Sequence, residues 1–214
     1  MIDYKTVSLA NQVYETLEMN ILNGKYEIGQ VISENKLSEE LGVSRTPIRE
    51  AMTKLAHERL IGDSPNGAIV LGITEKDIED IFTVKRAIEV TTTMWAAENM
   101  DAEGLKEMKD IIEQQEFYAG KGESEKVRNL DTQFHDLIYK YSKSPVMDGI
   151  LEPMHKKMLK YRAASLDNPG RTPKSVKEHQ AIYDAMVAGD MEKVREAMTT
   201  HVENSGSSIM HIKK

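Results

Sequence analysis

At Gly72-Ile73-Thr74 the spacing of apolar residues changes. Before that point the apolar stretches are short and punctuated by Gly24, Gly42 and the Ser64-Pro65-Asn66-Gly67 turn; after it they lengthen into amphipathic runs without strand signals. A fully buried sheet needs continuous β-branched runs, and a single helical bundle does not need a turn-rich start. The change therefore predicts two units, residues 1–72 and 74–214.

In the first unit Leu9, Val13, Leu17 and Ile21 recur every four positions, which gives a helix that stops at Gly24. An extended piece over Tyr26 to Ile32 follows. Ser33 can cap a helix to Leu41 that ends at Gly42, and Ser44 can cap a third in which Pro47 falls in the tolerated first turn. After Leu60 the Ser-Pro-Asn-Gly turn and the run Ala68 to Leu71 predict a two-stranded ribbon.

In the second unit Thr74 and Asp77 form a capping-box-like start, and Ile78, Ile81, Phe82 and Ile88 carry a helical stripe toward Trp95. Asp101 opens another helix, closed by Gly120-Lys121-Gly122. Further helices are expected from about 123 to 141, from Pro145, from about 175 to 188 after the loop SLDNPGRTP, and after Gly189-Asp190. The fold class is mainly α: a helix-turn-helix with a small hairpin wing, then an all-α unit of six helices.

The chain has 214 residues and no cysteine, so disulfides and thiolate metal ligands are both excluded, as suits a reducing cytoplasm. It has no secretory-type apolar start and no run of eighteen uncharged apolar residues. A cytoplasmic protein with no membrane segment is expected. The net charge of −7 argues against a generally basic nucleic-acid binder. Between Val43 and Leu60, however, Arg45, Arg49, Lys54 and Arg59 outnumber Glu50 and Glu58.

On a helical wheel at roughly 100° per residue, Arg45 at zero puts Arg49 near ~40°, Thr53 near ~80° and Thr46 near ~100°, with Ile48, Ala51 and Leu55 together at about 240–300°. One face packs and the other offers donors. A helix of this kind fits the major groove, where Arg can meet guanine O6 and N7 in a fork. The competing reading is an ordinary solvated face.

The stretch IGQVISENKLSEELGVSRTPIREAMTKLAHERLI resembles the winged-helix reading head of GntR-family bacterial transcription regulators, a resemblance that covers about Ser8 to Ile73. It implies that Arg45 and Arg49 read bases, that Ser44 and Thr46 contact phosphates or bases, and that Lys36 lies nearby in the preceding helix. Asn35 stands where some members place an arginine, and Asn66 precedes the wing glycine where many do.

Six histidines are present: His57, His135, His155, His179, His201 and His211. Asp131 and His135 are helical neighbours four residues apart. His179 and His201 are flanked by apolar positions on later helices and should face inward. Three imidazoles and a carboxylate would suit zinc, nickel or a similar divalent transition metal ion. Hydrogen-bonded core histidines are the alternative.

The motifs DTQFHDLI, SVKEHQAIYDAMVAGD, AMTTHV and VKRAIEVTTTMWAAE resemble the FCD ligand-binding domain, the largest branch of the same family, over most of Thr74 to Met210. That resemblance implies metal ligands Asp131, His135, His179 and His201, whereas His57, His155 and His211 match no ligand motif and are read as structural or exposed. It also implies that Arg86 faces the carboxylate of a small acidic effector, gripped from the other end by the metal. Glu89 is the competing partner for Arg86.

The function so implied is a ligand-responsive regulator, a homodimer on double-stranded operator DNA, with repression relieved by effector as the expected sign. Sugar acids, hydroxy acids and dicarboxylates suit the pocket. A metal-dependent hydrolase is the alternative from another class, but the neighbouring helical position of Glu178 points it away from the His179 direction and no nucleophile motif is present. A purely structural metal is the remaining alternative, and no catalytic residue is assigned.

Overall fold

The structure, a computed structural model, describes residues 8–166 and 170–211. The chain divides into two compact units, Met1–Asp77 and Ile78–Lys214.

The first unit holds α1 (Leu9–Leu22), β1 (Val31–Ile32), α2 (Glu34–Leu41), α3 (Arg45–His57), β2 (Ile61–Ser64) and β3 (Gly67–Val70). Ser8 caps α1 by accepting from the Asn11 N–H, and Ser33 caps α2 by accepting from the Lys36 N–H. Leu17, Leu37, Ile48, Leu55 and Leu60 are fully buried, so the periodic residues of all three helices meet in one core. Burying a side chain of this size stabilises by about 1.5–3 kcal/mol.

The ribbon is a sheet of three strands in the order β1-β3-β2, antiparallel throughout, with Val31 opposite Ile69 and Ile61 opposite Val70. The two-residue β1 was too short to carry an alternation signal. Gly67, at φ 140°, explains the approach: a Cβ there would lie 2.3 Å from the Ile32 carbonyl oxygen.

The second unit is built from α4 (Glu75–Asn99), α5 (Ala102–Gly120), α6 (Ser124–Tyr141), α7 (Pro145–Lys157), α8 (Leu159–Leu166), α9 (Arg171–Val187) and α10 (Met191–His211). Thr74 and Asp77 cap α4 reciprocally: the Thr74 N–H donates to Asp77 Oδ2 at 2.8 Å and the Asp77 N–H to Thr74 Oγ1 at 3.1 Å. Asp101 Oδ1 accepts from the Gly104 N–H at 2.8 Å and caps α5. Gly104 lets α5 and α6 pack closely, since a Cβ would lie 2.5 Å from the Tyr141 ring.

Among the described residues seven helices follow Thr74 where six were expected. The helix that starts at Pro145 is broken at Met158, whose N–H forks between Met154 O at 3.2 Å and His155 O at 3.1 Å. Pro153, inside α7, supplies no N–H and leaves the preceding turn one bond short. The helix after the SLDNPGRTP loop starts at Arg171, a turn earlier than expected, and residues 167–169 of that loop lie outside the described residues.

The buried stripe of α4 also differs from expectation. It runs through Ile78, Ile81, Phe82, Lys85, Glu89, Val90, Thr92, Thr93 and Ala96, while Ile88 is only half-buried and Trp95 is exposed. The helical period was right, but the core face of α4 continues through charged and hydroxyl side chains instead of the next apolar ones.

Candidate functional site

Two constellations concentrate the polar chemistry, one in each unit. In the first unit, Ser44, Arg45, Thr46 and Arg49 at the start of α3 are exposed, as are Asn35 and Lys36 on α2. The Ser44 hydroxyl makes no cap bond to α3, and His57 is exposed at the far end of the helix. Arg45 and Arg49 converge on Glu34, the first residue of α2. Arg45 donates to Glu34 Oε2 from Nε at 3.2 Å and Nη2 at 2.8 Å; Arg49 donates from Nε to Oε1 at 3.0 Å and from Nη2 to Oε2 at 2.9 Å. The Arg49 and Arg45 guanidiniums hold the Glu34 carboxyl down to about 2.

In the second unit α6, α9 and α10 bring His135, His179 and His201 together. One nitrogen from each lies within 4.8 Å of the others, and all three rings are buried. Their outward nitrogens are held: His135 Nδ1–H donates to Glu89 Oε1 at 3.0 Å, His179 Nδ1–H to Gln115 Oε1 at 2.8 Å and His201 Nδ1–H to Glu178 Oε2 at 2.9 Å. These three partners come from α4, α5 and α9. Each fixes its imidazole in the tautomer that leaves Nε2 with a lone pair.

His135 Nε2 and His179 Nε2 are buried with no hydrogen-bond partner among the described residues. A buried polar atom left unpaired costs about 1–3 kcal/mol, and two in one pocket call for an occupant. Asp131 Oδ1 lies 3.5 Å from His179 Nε2, which brings the carboxylate to the same place. The donor set of three neutral nitrogens and one carboxylate oxygen fits a divalent transition metal ion.

Burial holds the His135 and His179 imidazoles neutral, the form a metal requires. It pushes His135 down to about 4 against the opposing pull of Glu89. It also holds His179 and His155 well below the usual imidazole range, aided by neighbouring cations. Glu89 stays ionised well below the carboxylate range: its burial would raise it, but Lys85, His135 and Tyr139 outweigh that effect. Lys85, fully enclosed, is lowered by burial. Phe134 stacks on the His179 ring with centroids 4.0 Å apart and fixes its plane.

Sequence reasoning overlooked several neighbours. Lys85 Nζ lies 3.0 Å from Glu89 Oε2 and faces the cluster from α4. Arg162 on α8 donates from Nη2 to Asp131 Oδ2 and from Nη1 to the His155 ring. His155 is buried, its ring centroid 4.9 Å from that of His135, so it belongs to the cluster despite matching no ligand motif. The side chain of His211 lies outside the described residues.

Arg86 requires a correction. It is exposed on α4 and lines an outer groove with Glu79, Thr83, Glu203 and Ser207, one helical step from the face that meets the histidines. Glu89 pairs with Lys85 instead. The signal was available in the phase of Ile78, Ile81 and Phe82, which continues through 85 and 89 and leaves 86 about 100° away. Glu178 stands behind His201 on its outward side, accepting from the His201 Nδ1–H and also from Arg171 at 3.0 Å.

The cavity among Phe82, Lys85, Glu89, His135, Met158 and Arg162 encloses about 10 Å³, room for one water-sized group. No helix among the described residues is long and apolar enough to cross a membrane.

Comparison with known proteins supplies the family. Residues 80–204 match the FCD domain and residues 9–71 match the bacterial regulatory proteins of the gntR family. The chain is 26% identical over 204 residues to the HTH-type transcriptional regulator YdhC of Bacillus subtilis, covering 94% of this chain and 91% of the relative. It is 36% identical over 123 residues to the gluconate operon transcriptional repressor of Bacillus licheniformis, covering 57% of this chain and 50% of that one. The solved structure of Escherichia coli McbR/YncC shares the fold at a TM-score of 0.80 and 23% identity, covering 98% of this chain and 100% of that one. With a reading helix carried by a three-stranded wing unit and an all-helical unit that matches over more than half its length, the chain belongs to the FCD branch of the GntR family of DNA-binding transcription regulators and is not an enzyme.

Proposed function

We propose that this protein is a cytoplasmic, homodimeric repressor that binds a divalent metal ion, zinc or nickel, and a small carboxylate effector in its helical unit, and leaves its operator when the effector binds. The observation that carries this reading is the arrangement of imidazoles. Three buried rings are anchored by Glu89, Gln115 and Glu178, and two inward nitrogens are without a hydrogen-bond partner among the described residues.

His135, His179, His201 and Asp131 would hold the ion, which supplies a Lewis-acidic position for an oxygen ligand when bound. The chain's own contribution to an acid is cationic. Lys85 and Arg162 line the cavity beside His135, and a guanidinium matches a carboxylate as a planar fork. They replace Arg86 in the role expected from sequence. Because the cavity holds only a water-sized group, an effector of several heavy atoms must displace Arg162 from Asp131 and His155. Effector binding thus carries a rearrangement of α8 with it.

In the reading heads, Arg45 and Arg49 would contact base edges, with Ser44, Thr46 and Lys36 on phosphates or neighbouring bases. A homodimer puts two such heads on half-sites about one helical turn apart. Shifting a 1:99 balance of DNA-competent and DNA-incompetent forms to 99:1 takes about 5.5 kcal/mol of differential affinity, within reach of a few charge-assisted bonds.

The test is elemental analysis of the purified protein followed by thermal-shift titration with small hydroxy and sugar acids. The relative named for the gluconate operon makes gluconate a natural member of the panel. The metal-loaded protein should melt higher with one of these acids, and His179→Ala should lose both metal and shift. A carboxylate shift that persists in Arg162→Gln would remove that residue from the effector site. Metal retained by His179→Ala at wild-type stoichiometry would overturn the ligand set.

A further inference from the structure

The carboxylate of Glu34 takes a particular edge of each reading arginine. In both Arg45 and Arg49 the atoms engaged are Nε and Nη2, the side edge of the guanidinium. A guanidinium carries five N–H groups, so the side edge accounts for only part of its donors and the Nη1 end is not used by Glu34. That end is the one that can meet a guanine O6 and N7 pair.

The acid is placed for this at little cost. It occupies the first turn of α2 behind the Ser33 cap, where a helix N-terminus favours negative charge. Its own side chain is 26% exposed, whereas those of Arg45 and Arg49 are 57% and 63% exposed. The arginines therefore lie outermost. Ion pairs this exposed add little to fold stability, so a structural role does not account for four convergent bonds.

We propose that Glu34 is a positioning residue that sets the specificity of the reading helix: it pins the side edges of Arg45 and Arg49 so that their end-on forks are ordered before DNA arrives. A free arginine has several rotatable bonds, and ordering it on binding opposes association. Held on one carboxylate, both guanidiniums have a fixed relation to each other. The face consequently discriminates bases at two linked positions instead of offering two independent cations to any phosphate. Glu34 also lowers the local charge of the pair from +2 to +1, which weakens binding to random sequence. Positioning and charge both raise the ratio of specific to non-specific affinity. The proposal rests on the base-reading role given above to Arg45 and Arg49.

The experiment uses the full-length protein and a duplex selected by it from a random pool, compared with a random duplex across a salt series. Glu34→Gln should weaken binding to the selected duplex about tenfold, the scale of one well-formed fork, and leave binding to the random duplex unchanged or tighter. Its melting temperature should stay close to wild type. Glu34→Asp, one methylene shorter, should also lose discrimination because it cannot span both arginines. In an Arg45→Ala/Arg49→Ala background, Glu34→Gln should no longer change the ratio.

If Glu34→Gln leaves the ratio unchanged, or tightens the selected duplex, Glu34 only competes with DNA for the arginines and the proposal fails. If Arg45→Ala and Arg49→Ala do not alter the ratio in the wild-type background, the base-reading role itself fails, whatever Glu34 does. Should Glu34→Gln not fold, Glu34→Asp yields the same ratio and decides between the same outcomes.

Discussion

The two units each gather hydrogen-bond donors around a carboxylate, and they do so in opposite media. On the head, Glu34 holds Arg45 and Arg49 in contact with water; in the helical unit, Glu89 holds Lys85, His135 and the Tyr139 hydroxyl, and its side chain is 0% exposed. The difference is one of dielectric. In water each pair can open and re-form at small cost, because solvent takes the place of a lost partner. In the interior no solvent replaces a lost partner, so the cluster persists intact or rearranges as a whole.

The largest effect that would break this comparison is at Glu89. Glu89→Ala leaves Lys85 buried without its carboxylate, and urea denaturation should show a loss of about 3–5 kcal/mol. A loss under about 1 kcal/mol would mean that water reaches the cluster and that the two sites differ less than their exposure indicates.

Next in size is Gln115→Ala. It frees the His179 ring without removing a proposed ligand, and chelator competition should show a metal affinity lower by about 10–100-fold. Unchanged affinity would show that stacking on Phe134 orients the ring by itself.

The smallest effect belongs to the head. The carboxyl of Glu34 sits at about 2 against an ordinary 4.5, so its contribution to stability is present above about pH 4.5 and fades as pH falls toward 2. Because the cluster is largely exposed, wild type should lose no more than about 1 kcal/mol relative to Glu34→Gln between about pH 5 and about pH 3. High salt should shrink that difference further. A salt-independent effect of several kcal/mol would place Glu34 among the buried pairs.

Much of this was legible in the sequence, for reasons that vary by element. The helices of the head were readable because Gly24, Ser33 and Gly42 mark their ends and Ile48, Ala51 and Leu55 share one face. His179 and His201 were found because apolar neighbours at helical spacing fix their direction, and His135 because it lies one turn after Asp131. Arg86 was misjudged because its guanidinium suggested an anion site, whereas the phase of α4 turns Lys85 inward. Arg162 could not be found from spacing, because it follows the break at Met158, which arises from hydrogen bonds near Pro153 and not from any apolar period. Glu34 carries no signal of its own in the sequence, since its two partners lie on the next helix.

The anchors of the three imidazoles belong to α4, α5 and α9, and the rings themselves to α6, α9 and α10. An ion at their centre would therefore be felt at once by five helices that follow one another irregularly along the chain. Stripping it with a chelator should quicken amide exchange along all five together, with no single hinge giving way first, so that whatever the pocket senses is registered by the unit as one body.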